Sequence, residues 1–147
     1  MLKTNTNLKL YENGLFFLSL GGIGEIGANC YLYCCDGKWI MIDLGLSFAD
    51  EQFPGVDLLV PKIKFIEEIK DNLEAVIISH GHEDHAGAVA YLAEHIKCPV
   101  YATSFAKLLI ENRLKEFGKL DTINLIEFDS SQNLSLNNFN LRFIDTT

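Results

Sequence analysis

The order of strand and helix signals in this chain predicts an α/β fold built in layers, with helices flanking a mixed sheet. Three observations carry that expectation. Apolar, β-branched runs near the start form a hairpin, strand and helix patterns then alternate, and strand patterns return at the end. With 147 residues, the chain holds one domain's worth of material, or part of a larger domain, and its 48% apolar content suits a packed core. It contains no apolar run of about 18 residues, so no membrane span is expected. The polar stretch Met1-Leu-Lys-Thr-Asn-Thr-Asn7 lacks the apolar centre of a secretory signal.

Leu15-Phe-Phe-Leu-Ser-Leu20 reads as the first strand. Gly21-Gly-Ile-Gly-Glu-Ile-Gly27 follows, and Gly22, Gly24 and Gly27 match the Gly-x-Gly-x-x-Gly fingerprint, with Asp43 about 20 residues further on. Context opposes a dinucleotide site, because that fingerprint must open a helix. Here Asn29-Cys-Tyr-Leu-Tyr-Cys-Cys35 is rich in strand formers, and Asp36-Gly37 turns the chain into Trp39-Ile-Met-Ile42. That pattern is a β-hairpin. Asp43 ends this third strand, and residues 47–60 form a loop of mixed character. Pro61 suits the first turn of a helix, whose apolar face is Ile63, Ile66 and Ile69 beside Phe65, and Asp71-Asn72 ends it. A strand over 75–79 and a helix over 86–95 come next, then a strand over 98–102. Ser104 is placed to cap a helix with Phe105, Leu108, Leu109 and Phe117 as its apolar face, stopped by Gly118. Strands over 124–128 and 139–144 close the chain, with a polar turn at Asn137-Asn138.

The strand Ala75-Val-Ile-Ile-Ser79 leads into His80-Gly-His-Glu-Asp-His85, where three of the four histidines and two carboxylates crowd into six residues. The cluster falls on the turn between strand end and helix start. Neutral imidazoles with a carboxylate are the donor set of a borderline-soft divalent ion such as zinc. One histidine at a strand end is usually structural, and Asp84 alone could cap a helix. Three histidines and an aspartate on one turn would repel when protonated and gain nothing structurally. Metal binding by His80, His82, Asp84 and His85 is therefore the preferred reading. Glu83 points away in the turn and is a weaker candidate, and His95 reads as a helix-dipole partner or surface residue.

A net charge of -8 argues against a general nucleic-acid-binding surface on this segment, although bound divalent cations would reverse the potential at a local site. Cys30, Cys34, Cys35 and Cys98 form no Cys-x-x-Cys pair. Cys34 and Cys35 are adjacent on one strand and point to opposite faces, so reduced thiols in a cytosolic protein are expected.

The His-x-His-x-Asp-His spacing resembles the signature of the metallo-β-lactamase superfamily. A longer set of residues is similar to the N-terminal part of the ribonuclease J family, in the β-CASP RNA-processing branch. It comprises Gly21 to Gly27 with Asn29 and Tyr31, Ile42-Asp-Leu-Gly45, Phe48, Gly55-Val-Asp57, Pro61 and Ser79 to Ala88. Lys62 departs from it, since an aspartate is expected after the proline.

The resemblance implies the N-terminal half of an αββα sandwich. Residues 1–147 would be the N-terminal part of a metallo-β-lactamase domain, without the β-CASP domain and the C-terminal part. It implies two zinc ions in the complete protein, with manganese the alternative. His80 and His82 would hold one ion, and Asp84 and His85 the other. Asp43 would orient the metal histidines from behind, where the bare sequence allows a loop cap as well. Asp84 and His85 would carry catalysis through the ion that acidifies the attacking water. The implied activity is 5′ to 3′ exonucleolytic and endonucleolytic RNA hydrolysis in the cytoplasm. Its implied partners are RNA, the remainder of the protein and, in the full-length form, further copies of itself.

A third histidine for the first ion is expected about where the sequence reaches Thr146-Thr147, with a bridging aspartate and a last histidine further on. On that expectation the chain alone holds part of a site and no turnover. Two rival readings share the motif. A thioester hydrolase of the glyoxalase II type would not explain the glycine-rich stretch. A non-catalytic remnant of a split gene would bind metal weakly and catalyse nothing.

Overall fold

The computed structural model describes residues 11–51 and 53–144, so the expectations placed on Met1 to Asn7 and on Thr146-Thr147 lie outside the described residues. The glycine-rich stretch joins β1 (Leu15–Gly21) to β2 (Cys30–Cys35), and the Asp36-Gly37 turn joins β2 to β3 (Lys38–Ile42). Asp36 and Gly37 both have positive φ, at 48° and 80°, which gives the twist a two-residue hairpin turn needs. No helix follows the glycines, which removes the dinucleotide reading.

Inside the loop of mixed character, β4 (Ser47–Phe48) pairs with β5 (Leu58–Leu59). Helix α1 (Ile63–Ile69) buries Ile66 and Ile69, as its spacing predicts. Then come β6 (Leu73–Ile78), α2 (Glu83–Ala86), α3 (Val89–Leu92), β7 (Val100–Ala102), α4 (Ser104–Glu116), β8 (Leu125–Glu127) and the hairpin β9 (Leu134–Leu136) with β10 (Phe139–Leu141).

The main sheet has the order β1-β2-β3-β6-β7-β8. Its first three strands are antiparallel neighbours, and β3, β6, β7 and β8 run parallel. Parallel strands need covering on both faces. One face carries the larger core, in which Leu32, Trp39, Met41, Val76 and Ile78 meet Ile66, Ile69, Val89, Ile110 and Leu114 from the helices. On the other face Ile40, Ala75 and Ile77 lie under Leu134, Leu136, Phe139 and Leu141 of the terminal hairpin. The layered, mixed-sheet expectation holds.

Local details differ from the sequence reading. The helix expected over 86–95 begins three residues earlier, at Glu83, breaks at Gly87-Ala88, and ends in a single 3-10 turn at Ala93–His95. Ser104 is the first helical residue of α4, and Thr103 occupies the cap without a side-chain bond. The face of α4 is also corrected. Ala106, Ile110 and Leu114 are buried, whereas Phe105 is 69% exposed and Leu108, Leu109 and Phe117 also reach solvent. The last strand covers Phe139–Leu141 rather than continuing to Ile144.

Candidate metal centre

Two adjacent parallel strands explain why residues distant in sequence meet. Ile42 at the end of β3 pairs with Ile77 near the end of β6, so Asp43 and Ser79-His80 leave the sheet side by side. Carboxyl ends of parallel strands are where α/β sheets place their ligands. Asp43 adopts a left-handed backbone with φ 63°, a conformation that aspartate tolerates better than most residues. Its backbone N–H still bonds to the Ile77 carbonyl at 2.8 Å.

Asp43 is only 3% exposed, and its side chain is fully used. One carboxylate oxygen accepts the Ser79 backbone N–H at 2.7 Å. The other accepts the Ser79 hydroxyl at 2.9 Å and lies 2.7 Å from His85 Nδ1. A carboxylate oxygen only accepts, so the proton between it and His85 belongs on Nδ1. Nε2 of His85 is then left with a free lone pair directed away from Asp43.

The loop after Asp43 is stitched to the first turn of α2. Leu44 and Leu46 donate to the His85 and Glu83 carbonyls at 2.8 and 3.0 Å, and Ala88 donates back to Leu44 at 3.0 Å. Asn29 donates its backbone N–H to the Asp84 carbonyl at 2.9 Å and accepts from Gly45 at 2.9 Å. Gly45 lies so close that an added Cβ would overlap the Asp84 carbonyl and stand 2.8 Å from the His85 nitrogen. Position 45 has no room for a side chain.

His85 Nε2 lies 3.3 Å from Asp84 Oδ2. Two bare acceptors at that separation repel unless a proton or a cation is shared between them. An ion about 2.0–2.2 Å from each, the usual zinc–nitrogen and zinc–oxygen range, would see them at a near-tetrahedral angle. The pair therefore fits a divalent ion. The His80 ring lies tilted against His85 at 4.1 Å and edge-on to His82 at 4.6 Å, centroid to centroid. Burial holds the His80 imidazole below its ordinary value, and the neighbouring His85 and His82 add to the effect. That keeps His80 in the neutral form a metal requires.

The four expected ligands are thus neighbours, but the cluster is not closed. Among the described residues, no three histidine, cysteine, aspartate or glutamate side chains converge to hold one ion. Asp84 and His85 converge as a pair, while His80 and the exposed His82 stand beside them.

Glu83 turns outward, 3.5 Å from Arg113 of α4. His95 pairs with Glu67 of α1 at 3.0 Å, a partner that its sequence position alone did not reveal. The sequence reading also gave Asn29 and Tyr31 no role at the site. The Asn29 amide nitrogen lies 3.2 Å from both Asp84 Oδ2 and His85 Nε2, and the Tyr31 hydroxyl donates to Asn29 Oδ1 at 2.7 Å. A polar residue opening an otherwise apolar strand was the available signal. The glycine stretch borders this network, because a Cβ on Gly22 would strike the Tyr31 hydroxyl and Asn29 Oδ1. The Gly22 amide is already used by the Glu25 carboxylate at 3.1 Å, which favours a turn role there over an anion contact.

The sequence profile of the metallo-beta-lactamase superfamily matches residues 23–132. Ribonuclease J 1 of Streptococcus pyogenes is 34% identical over 98% of this chain, and ribonuclease J 2 of Staphylococcus aureus is 31% identical over 95%. Ribonuclease J of Sinorhizobium meliloti is 45% identical over 68% of the chain. The chain spans only 25%, 25% and 18% of the length of these relatives, respectively. Among solved structures, the chemotaxis sensor ODP in its peroxy diiron species superposes with a TM-score of 0.53 at 17% identity, over 88% of this chain and 48% of that one. A diphosphatase from the PhnP family also gives 0.53, at 18% identity over 84% and 54%. At such identities these two likenesses concern the fold alone.

Proposed function

The chain belongs to the metallo-β-lactamase superfamily, and from that premise we propose that it forms the metal-binding part of a ribonuclease of the ribonuclease J type. One observation carries the hydrolase reading. The His85 lone pair and the Asp84 carboxylate face each other at 3.3 Å, with the far side of the imidazole tied to buried Asp43 at 2.7 Å. RNA as the substrate rests on the likeness to ribonuclease J relatives over nearly the whole chain.

In this reading His80, His82, Asp84 and His85 hold divalent ions, two in the complete protein, with zinc preferred over manganese for imidazole-rich donors. When bound, such ions supply Lewis acidity toward a phosphoryl oxygen and acidify a water toward neutrality. The chain's own residues set the stage for that chemistry. Asp43 fixes the His85 tautomer and ring plane, and Ser79 holds Asp43 in place with two hydrogen bonds. The stitching of residues 44–46 to 83–85 holds the Asp84 backbone, so that its carboxylate leaves the helix in one direction. Among the described residues the donor set is open, so a complete site needs further ligands. Exonucleolytic and endonucleolytic cutting, a cytoplasmic setting with its four free cysteines reduced, and self-association of the full-length form belong to the same reading. Among the described residues no helix is long and apolar enough to cross a membrane.

The test uses the chain alone and the chain fused to the part of Streptococcus pyogenes ribonuclease J 1 that it does not match. Each is supplied with 5′-monophosphorylated RNA or a thioester, with zinc or manganese and with chelator. RNA hydrolysis by the fusion, lost with chelator and with Asp84→Ala, is expected. Hydrolysis of the thioester alone would end the ribonuclease reading, and hydrolysis that survives chelator would end the metal-dependent reading.

A further inference from the structure

We propose that Asn29, oriented by Tyr31, is a positioning residue that holds the Asp84 carboxylate and the His85 lone pair at one point before an ion arrives. The inference rests on the metal reading above. It begins from a count of hydrogens. The Asn29 amide has two N–H groups and three acceptors in reach: the Asp84 carbonyl at 3.1 Å, Asp84 Oδ2 at 3.2 Å and His85 Nε2 at 3.2 Å. The carbonyl is already served by the Asn29 backbone N–H at 2.9 Å. The side-chain amide is thus left to satisfy the two groups that repel each other at 3.3 Å.

Asn29 Nδ2, Asp84 Oδ2 and His85 Nε2 form a nearly equilateral triangle with edges of 3.2, 3.2 and 3.3 Å. Its edges match the donor–donor separation around an ion bonded at about 2.0 Å to tetrahedral ligands. By donating to both acceptors, the amide holds them at the separation that an ion requires, and it gives up the His85 lone pair when the ion binds.

Tyr31 decides which way the amide faces. Its hydroxyl lies 2.7 Å from Asn29 Oδ1 and 3.3 Å from the Gly22 carbonyl. The Gly22 carbonyl can only accept, so the hydroxyl hydrogen is shared between that carbonyl and Oδ1, which leaves Nδ2 for the metal pair. The tyrosine ring also stacks on Phe17 at 6.0 Å, a contact that loss of the hydroxyl would leave intact. Anchorage of this segment to the fold runs through the Asn29 backbone bonds to Asp84 and Gly45, which side-chain substitutions do not remove.

The experiment compares Asn29→Ala, Tyr31→Phe, the double variant and Asn29→Asp with the wild-type 147-residue chain. Cobalt(II) is the probe, read by its visible absorption and by competition with a chelator, and thermal melts in chelator monitor folding. Asn29→Ala should weaken cobalt binding about tenfold or more with a modest change in melting, the range expected for residues that orient metal ligands. Tyr31→Phe should weaken it less, and should add nothing in the Asn29→Ala background. Asn29→Asp places a carboxylate at the third corner of the triangle, so cobalt should bind more tightly and its spectrum should change. A purely structural role predicts weaker binding and lower melting in both the alanine and the aspartate variants, and that result overturns the proposal. Cobalt affinity unchanged in Asn29→Ala, or fully additive effects of the two substitutions, overturns it as well. If neither the wild-type chain nor its fusion to the remainder of ribonuclease J 1 shows a cobalt spectrum, the metal reading itself falls; if only the fusion does, the variants are compared in the fusion.

Discussion

Replacing Asp43 with asparagine exchanges one oxygen for an NH2 and should turn the His85 proton around. The Ser79 backbone N–H, 2.7 Å from one Asp43 oxygen, cannot change its donor role, so the asparagine oxygen must stay there. The new NH2 then faces the Ser79 hydroxyl, which can accept, and His85 Nδ1. Two opposed donors are avoided only if His85 moves its proton to Nε2. That proton would sit where Nε2 meets Asp84 Oδ2 at 3.3 Å, in the place of the ion. Restoring the competent tautomer would forfeit one hydrogen bond and oppose two donors, a cost of about 1.5–3 kcal/mol. Metal affinity should therefore fall roughly 10- to 150-fold. Long-range 1H–15N spectra of the metal-free variant would report the tautomer, and chelator competition with zinc would report the affinity. Wild-type zinc affinity, or a His85 that keeps its proton on Nδ1, would refute the orienting role of Asp43.

Four further outcomes are expected. Gly45→Ala must push the 84–85 backbone away, which should cost about 1–3 kcal/mol by overpacking and weaken zinc binding, whereas Gly24→Ala meets no atom within 4 Å and should cost only its backbone strain; urea midpoints that fall equally would contradict this. In α4, Ile110→Ala should cost about 2–5 kcal/mol while Phe105→Gln should change stability by about 0.5 kcal/mol or less, and the reverse order in a melt would restore the face expected from the sequence. Burial pushes the thiols of Cys30 and Cys98 up to about 12 and about 11, so at pH 8 a disulfide reagent should label the half-exposed Cys35 readily and those two only after unfolding. Because His80 is held below the ordinary imidazole value of 6.5, the unfolded chain binds that proton more readily. Metal-free stability should then be unaffected by this group well above that pH and decline as pH drops from it toward the lowered value. His80→Gln should flatten the decline, and an unchanged urea profile between pH 7.5 and 5.5 would rule it out.

The hairpin, the strand–helix alternation and the histidine cluster were legible because each writes a local pattern. Asp36-Gly37 states its turn, and His80 to His85 are neighbours in sequence. Asp43 was legible only as a strand terminus, and its meeting with His85 depends on β3 lying next to β6. Asn29 was opaque for the same reason, since its partners Asp84 and His85 are more than 50 positions away. The face of α4 was misread because apolar residues surround that helix. Large side chains such as Phe105 drew attention, whereas packing against β7 and β8 selects the Ala106, Ile110 and Leu114 stripe at four-residue spacing. The early start of α2 was hidden by residues with a second reading, because Glu83 and Asp84 look like loop chemistry and also favour a first helical turn.

The pairing of Ile42 with Ile77 has a consequence for how the chain reaches its native state. A one-residue slip of β3 against β6 would send alternate side chains to the wrong faces and carry Asp43 away from Ser79 and His85. Misregistered molecules would then lack a held imidazole and bind no ion. A divalent cation present during folding would act as a proofreader of strand register, favouring the correct pairing by about 2.7 kcal/mol at a hundredfold excess over its dissociation constant.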